Sequence, residues 1–510
     1  MLRALLRPAI LTPFLAFLYF FLRYHSHAYL LGGALVLAGF LVAYSLWNQV
    51  ERGPYGIVVL ILVGLGLPAL GIWQFLQLQD LGDMDQAMYS CAFWNIRHGW
   101  IHYSIRGTNM FGVHSQYTAM FWIPWHWLTG ELGLKIGKCL FLLAAALLVL
   151  RRHGGNLKVL SWAAVAILLS PPIASQFFFG FHPEFIAAPI LVLLLEAYRD
   201  GKLGRFLAYV AFLAYSKEVF TLVVGGVLLL ALVEKRPWKW IVLPGLLCCL
   251  QMAIYWFVIM PRFAPAGNFL SSYMPTSIQE AMAMWRRPEV LRYALHIALP
   301  FLPLLLAFPK RYLLLPLPLM AFYAAFPDSL FMVMWPNYAF PLAILCAAGL
   351  ILQPEVRWSD IGSVEACNPP GSVSLDGRIL LACVATSLLS YPLWREAFSI
   401  PHGNLGRNLE IKKIHDRIPE NASVLVNGPF VTRFAARREI GIWGYRIKPV
   451  EAYDYIVLDA KLPYWLNRNN EAILSKGIVT LANSPEWTME YGRDSLYLFH
   501  HAPKHVPTPL

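Results

Sequence analysis

The chain has 510 residues, of which 58% are hydrophobic and only 14% charged. A soluble protein of this length carries about a quarter charged residues, so an ordinary soluble globule is excluded and a polytopic membrane protein is expected. The net charge of +12 does not point to nucleic acid. The Lys and Arg lie in short clusters between apolar runs, where they set topology, and not on a soluble basic face.

In chain order, MLRALLRPAILTPFLAFLYFFLRY has the outline of a signal peptide, but no small-residue cleavage site follows it and a second apolar run begins at once. It reads as a retained first helix. About thirteen apolar runs are long enough to span, some of them short, near 8–22, 28–47, 56–78, 133–150, 157–174, 183–198, 204–216, 219–233, 239–260, 291–308, 312–326, 337–353 and 379–395. With Arg3 and Arg7 inside, Arg151-Arg152 with Lys158, Arg199 to Arg205, Lys235 to Lys239, Lys310-Arg311 and the linker from Arg357 to Arg378 all fall on the same inner side. The opposite side receives the loop 79–132, the turn SQFFFGFHPE, Lys217-Glu218, the loop PRFAPAGNFLSSYMPTSIQEAMAMWRRPEV, the segment FPDSLFMVMWPNYAF and the tail after 395.

The expected organisation is mainly α: N-terminal transmembrane helices over 1–78, a first external loop over 79–132, a transmembrane core over 133–395, and a small extramembrane α/β domain over 396–510. In the loop, MDQAMYSCAFWNIRHG and QYTAMFWIPWHWL read as amphipathic helices lying along the interface. In the tail, ASVLVNG, YDYIVLDA and SLYLFHH read as short strands. The seven cysteines form no C-x-x-C pair, so buried free thiols are expected.

Candidate chemistry gathers where charge interrupts the apolar runs. Asp80, Asp83 and Asp85 follow the third span, and Asp85 opens a helix on which Gln86, Ser90 and Trp94 share a side. Acids at a helix start also satisfy free N–H groups, which is the structural reading preferred for Asp83. His114, His182, Glu184, Lys217 and Glu218 each sit at an external helix end, where an ionisable group that costs about 2.5–3.5 kcal/mol to insert usually pairs or acts. His182 and Glu184 lie on one turn and suit a divalent cation such as Mg or Mn, without the spacing of an established metal signature. Arg286, Arg287, Asn337 and Tyr338 stand on the same outer side as substrate contacts. His98, His102 and His126 lie among interfacial aromatics and read as surface groups.

The series DLGDMDQAMYS…NIRHG, GVHSQYTAMFWIP, FHPEF…SKEV, IPENASVLVNG and YDYIVLDA resembles a family of bacterial polytopic membrane proteins known only as a domain of unknown function, number two thousand and seventy-nine. The resemblance runs from about residue 75 to 465. That family is in turn similar to the C-type glycosyltransferase superfamily, enzymes that use polyprenyl-phosphate sugars and carry a pair of acids in the first external loop. By position Asp85-Gln86 matches the pair, with Gln86 in place of the second acid. Asp80 matches the family's leading Asp, and Val219 replaces its usual acid after Lys217-Glu218.

The resemblance implies a bacterial inner-membrane enzyme with a cytoplasmic N-terminus and a periplasmic or extracellular tail, transferring a sugar from a polyprenyl-phosphate donor to an unknown acceptor. Asp85 would be the general base, Lys217 with Arg286 or Arg287 would neutralise the phosphate, and Asp80, Gln86, His114 and Glu218 would line the substrate site. The alternative is a non-catalytic lipid-binding or assembly subunit of a membrane complex on the same scaffold. An ion-coupled transporter ranks last, because its acids belong near the bilayer midplane.

Overall fold

The computed structural model describes residues 8–23, 27–77, 83–99, 105, 109–151, 157–264, 275, 277–307, 310–325, 341–345, 356–357, 373–374, 377–391, 405–444, 448–461 and 470–501. Asp80, Asn337 and Tyr338 lie outside these residues, as does most of the 354–378 linker.

The helical part begins with α1 (Pro8–Arg23), α2 (His27–Ser45) and α3 (Tyr55–Leu76), followed by α4 (Asp83–Arg97). Next come α5 (Ile123–Leu148), α6 (Leu157–Leu169) and α7 (Pro171–Phe178). The hairpin series α8 (Ala187–Arg199), α9 (Leu203–Ala214), α10 (Val219–Val233) and α11 (Lys239–Ile254) follows. The last helices before the tail are α12 (Ile278–Trp285), α13 (Pro288–Ala298), α14 (Leu317–Ala325) and α15 (Gly377–Ser390). Among the described residues four helices are long and apolar enough to cross a membrane, or five if α6 and α7, bent by 62° at Ser170, make one broken span. Pro171 and Pro172 explain the bend, since neither can donate a backbone hydrogen bond to the turn before it.

Two backbone features bear on the site. The Trp-rich segment near 117–128 forms the 3-10 turn Tyr117–Trp122 and the first turns of α5. Gly130, at φ +60° and ψ −145°, breaks the helix there in a conformation that only glycine adopts readily. At Gly71 in α3, an added Cβ would lie 2.2 Å from the carbonyl oxygen of Phe177. The bare backbone lets α3 and α7 close together, which brings the end of α3 beside the turn carrying His182.

The tail is the expected α/β domain. Strands β1 (Val424–Val426), β2 (Ile440–Ile442), β3 (Tyr455–Asp459), β4 (Trp487–Arg493) and β5 (Leu496–His501) form one sheet in the order β2-β1-β3-β5-β4. The first three are parallel and the last two antiparallel, with a register shift between Met489 and Tyr491. Helices α16 (Leu405–His415) and α17 (Asn470–Ala482) complete it. β1 and β3 are buried almost throughout and read as continuous apolar runs, as central parallel strands do.

The tail rests on the end of the helical part. Asn408 donates to the Leu76 carbonyl (2.6 Å) and Arg433 to that of Phe75 (2.5 Å), with the Arg433 guanidinium 3.9 Å above the Phe75 ring. Trp94 on α4 donates its indole N–H to Glu420 (3.0 Å), and Cys91 donates to the Arg437 carbonyl. Burial lowers the pKa of the Arg437 guanidinium to about 10. The tail and the segment that forms α4 therefore lie on one side of the helices.

Candidate functional site

Helix α4 brings Asp85, Gln86, Tyr89 and Ser90 to its inner side at helical spacing. The turn between α7 and α8 presents His182 and Glu184 opposite them. Phe179, stacked on the His182 ring at 5.5 Å, and Tyr89, edge-on at 6.1 Å, fix the imidazole between Asp85 and Glu184. His182 Nε2 lies 3.5 Å from Asp85 Oδ2, and Nδ1 lies 3.6 Å from Glu184 Oε1. Glu184 in turn accepts from Lys217 Nζ at 2.6 Å and from Gln116 at 3.3 Å, and the Tyr89 hydroxyl donates to Gln116 at 2.7 Å.

A second pair adjoins the first. Glu218, next to Lys217 in the chain, meets His114 Nδ1 at 2.5 Å and accepts from the backbone and hydroxyl of Ser115 at 3.1 and 3.3 Å. The network thus joins four chain segments: α4, the 114–116 turn, the 182–184 turn and the α9–α10 turn. Glu184 is 3% exposed and Lys217 4%, whereas Asp85 is 23% exposed. Asp85 is the most exposed carboxylate of the network.

Unsatisfied polar atoms mark the same place. Among the described residues, Gln86 Nε2, Ser90 Oγ and both ring nitrogens of His182 are buried without a hydrogen-bond partner. Such atoms are costly unless water or a ligand reaches them. Gln86 Oε1, by contrast, is held by the Phe181 N–H at 3.0 Å, so this residue ties α4 to the 182–184 turn. Glu184 lies on the far side of the His182 ring from Asp85.

Asp85, His114, His182, Glu184, Lys217 and Glu218 meet in this one network. Arg286 is exposed at the end of α12, and the Arg287 guanidinium donates to the Met284 and Ala324 carbonyls. Asp83 begins α4. His126, read from the sequence as a surface group, is instead buried, with its ring 5.9 Å from that of Phe93. Among the described residues no three His, Cys, Asp or Glu side chains are placed to share one metal ion, and Glu184 holds an ammonium and an amide.

Sequence reasoning missed Lys135 and Lys138. Both are fully buried in α5 and donate to the Phe179 carbonyl, Lys138 also to Gly180, so they anchor the strand of backbone that carries His182. Their signal was available: two lysines three positions apart in the apolar run ELGLKIGKCLFLL are costly in a membrane helix unless they act or pair. Gln116 and Tyr89 gave no comparable signal, because uncharged polar residues are common at interfaces.

The comparisons with known proteins agree with this architecture. The profile of a family described as predicted membrane protein (DUF2079) matches residues 77–498. The chain belongs to this family. Its match opens beside the acid-bearing segment and closes in the last strand of the tail, so DUF2079 comprises both the cluster and the domain that rests on it. Among solved structures, the chain is similar to ArnT from Cupriavidus metallidurans bound to undecaprenyl phosphate, at 12% identity and a TM-score of 0.55 over 89% of this chain and 99% of that one. It is also similar to the same protein in the apo state, at 11% identity and a TM-score of 0.51 over 86% and 97%. The similarity to the C-type glycosyltransferase superfamily holds at the level of fold. No curated protein sequence matches this DUF2079 chain.

Proposed function

We propose that the protein is an integral membrane glycosyltransferase that moves a sugar from a polyprenyl-phosphate donor to an acceptor hydroxyl at the external, periplasmic face of a bacterial inner membrane. The observation that carries this reading is Asp85: it is the partly exposed carboxylate of an otherwise buried ion network, beside unsatisfied donors, on a fold shared with a protein solved with undecaprenyl phosphate bound. In the transfer, the acceptor oxygen bonds to the anomeric carbon as the bond from that carbon to the phosphate oxygen breaks. The phosphate leaves with the electron pair and the hydroxyl proton passes to Asp85, a role typically worth about 10²–10⁴-fold in rate.

His182 orients Asp85 in this reading. The Glu184–Lys217 pair and the Lys135 and Lys138 contacts hold His182 in turn. Contact of Lys217 with the donor phosphate would require its pair with Glu184 to part, so we assign Lys217 to positioning. Gln86 and Ser90 offer hydrogen bonds to sugar hydroxyls. The acceptor approaches from the side covered by the tail.

A second reading, a lipid-binding or assembly subunit, draws on Gln86, which stands where the superfamily carries an acid and is engaged by backbone. The two separate in one experiment. Purified protein in vesicles, given a panel of radiolabelled polyprenyl-phosphate sugars and membrane-extract acceptors, is expected to release polyprenyl phosphate and label an acceptor. Retention of a donor lipid without turnover across the panel would favour the subunit.

A further inference from the structure

The second concentration of charge lies at the opposite end of α8–α11. The turns after α8 and α10 are closed in the same way. Gly201 N–H bonds the Tyr198 carbonyl and Lys202 N–H that of Ala197; Lys235 N–H bonds the Leu232 carbonyl and Arg236 N–H that of Ala231. This helix ending requires one left-handed residue, normally glycine. Gly201 supplies it at φ +66°, whereas in the second turn Lys235 takes φ +53°. A side chain with a Cβ is disfavoured there, so a lysine where the sister turn uses glycine is a strained position that carries a charge.

The two turns touch. The Tyr198 hydroxyl donates to Glu234 (2.8 Å), and the Arg236 guanidinium lies 4.8 Å from the Tyr198 ring and 5.6 Å from that of Trp240. Arg311 brings in a third segment at 3.3 Å from Glu234. The carboxylates here are occupied, Asp200 by Arg199 and Glu234 by Tyr198, Arg236 and Arg311. Lys202, Arg205, Lys235 and Lys239 are exposed and have no ion pair among the described residues. Directly beside them runs exposed apolar surface: Leu232 and Val233 on α10, Val242 and Leu246 on α11, with Trp238 68% exposed in the turn between.

Unpaired cations flush with a lipid-facing apolar surface complement an amphiphile with an anionic head. We propose that the paired turns after α8 and α10 bind an anionic phospholipid, its phosphate among Lys202, Arg205, Lys235 and Lys239 and its acyl chains along α10 and α11. A soluble anion would leave the apolar surface and the interfacial Trp238 unexplained. The inference is independent of Asp85 and of sugar transfer.

Native mass spectrometry of the full chain in mixed micelles tests it, with phosphatidylglycerol against phosphatidylcholine at low salt. Phosphatidylglycerol should be retained preferentially, with affinity falling about fivefold for each of Lys202→Gln, Arg205→Gln and Lys239→Gln. Lys235→Gly should lower retention similarly while the thermal midpoint holds or rises, because glycine removes the backbone strain. Soluble glycerol phosphate should not displace the lipid. Equal retention of the two lipids, displacement by glycerol phosphate, or unchanged retention in Lys235→Gly would each overturn the proposal. The last decides even if the glutamine variants do not fold.

Discussion

Glu184 meets Lys217, Gln116 and His182 at once, in a site almost closed to water, so its charge is committed to holding the turn. Removing one member of such a buried pair strands the other and typically costs about 3–5 kcal/mol. Glu184→Gln and Lys217→Met should each lower stability by about that amount, read as detergent-solubilised unfolding midpoints, whereas the double variant should lose much less than the sum of the two. Additive losses would show that the two side chains do not interact. The grouping of these residues was legible because charge is scarce: an ionisable side chain at the end of an apolar run must find a partner, and the partners available were few. Which of them stayed open to a ligand was not legible. Asp85 and Glu184 have equivalent sequence settings, and only packing against Phe179, Tyr89 and the 114–116 turn separates a 23% exposed carboxylate from a 3% exposed one.

Helix α4 links the ion network to the tail, since Asp85 lies in its first turn and Cys91 and Trp94 touch the tail further along. Cysteines at Trp94 and Glu420 in a cysteine-free background should be joined by a short bismaleimide within one molecule. Arg433→Ala, which removes the contact to Phe75, should reduce that yield. No linkage in the folded protein would contradict the docking. Gly71→Leu should be more severe than any of these, because its Cβ would meet a backbone oxygen that cannot swing away; loss of folded protein in size-exclusion chromatography is expected, and a normal yield would contradict the close approach of α3 and α7. The strands of the tail were legible from short β-rich runs between turns, and three of the five fall where those runs lie. Strand β2 was not, since Ile440–Ile442 is three residues long and is defined by its pairing with β1.

For the whole molecule, three hairpin helices run between an ion network at one end and basic turns at the other, the polarity that the distribution of Lys and Arg implied. Single cysteines at His98 and Leu409 should react with an impermeant maleimide from one face of oriented vesicles, and a cysteine at Lys235 from the other. Labelling of His98→Cys and Leu409→Cys from opposite faces would undo the placement of the tail over the site. The overall architecture was legible because hydropathy and loop charge constrain a membrane chain strongly, whereas the docking of the tail on α4 depends on contacts more than 300 residues apart in sequence. The most direct test of the functional reading compares Asp85→Asn with Asp83→Asn for transfer from a radiolabelled polyprenyl-phosphate sugar in proteoliposomes, normalised to folded protein. Asn is nearly isosteric with Asp but cannot accept the acceptor's proton, so Asp85→Asn should fold and lose at least about 10²-fold in rate. Asp83→Asn should stay within a few-fold of the unmodified protein; equal activity in the two variants would remove Asp85 from the chemistry.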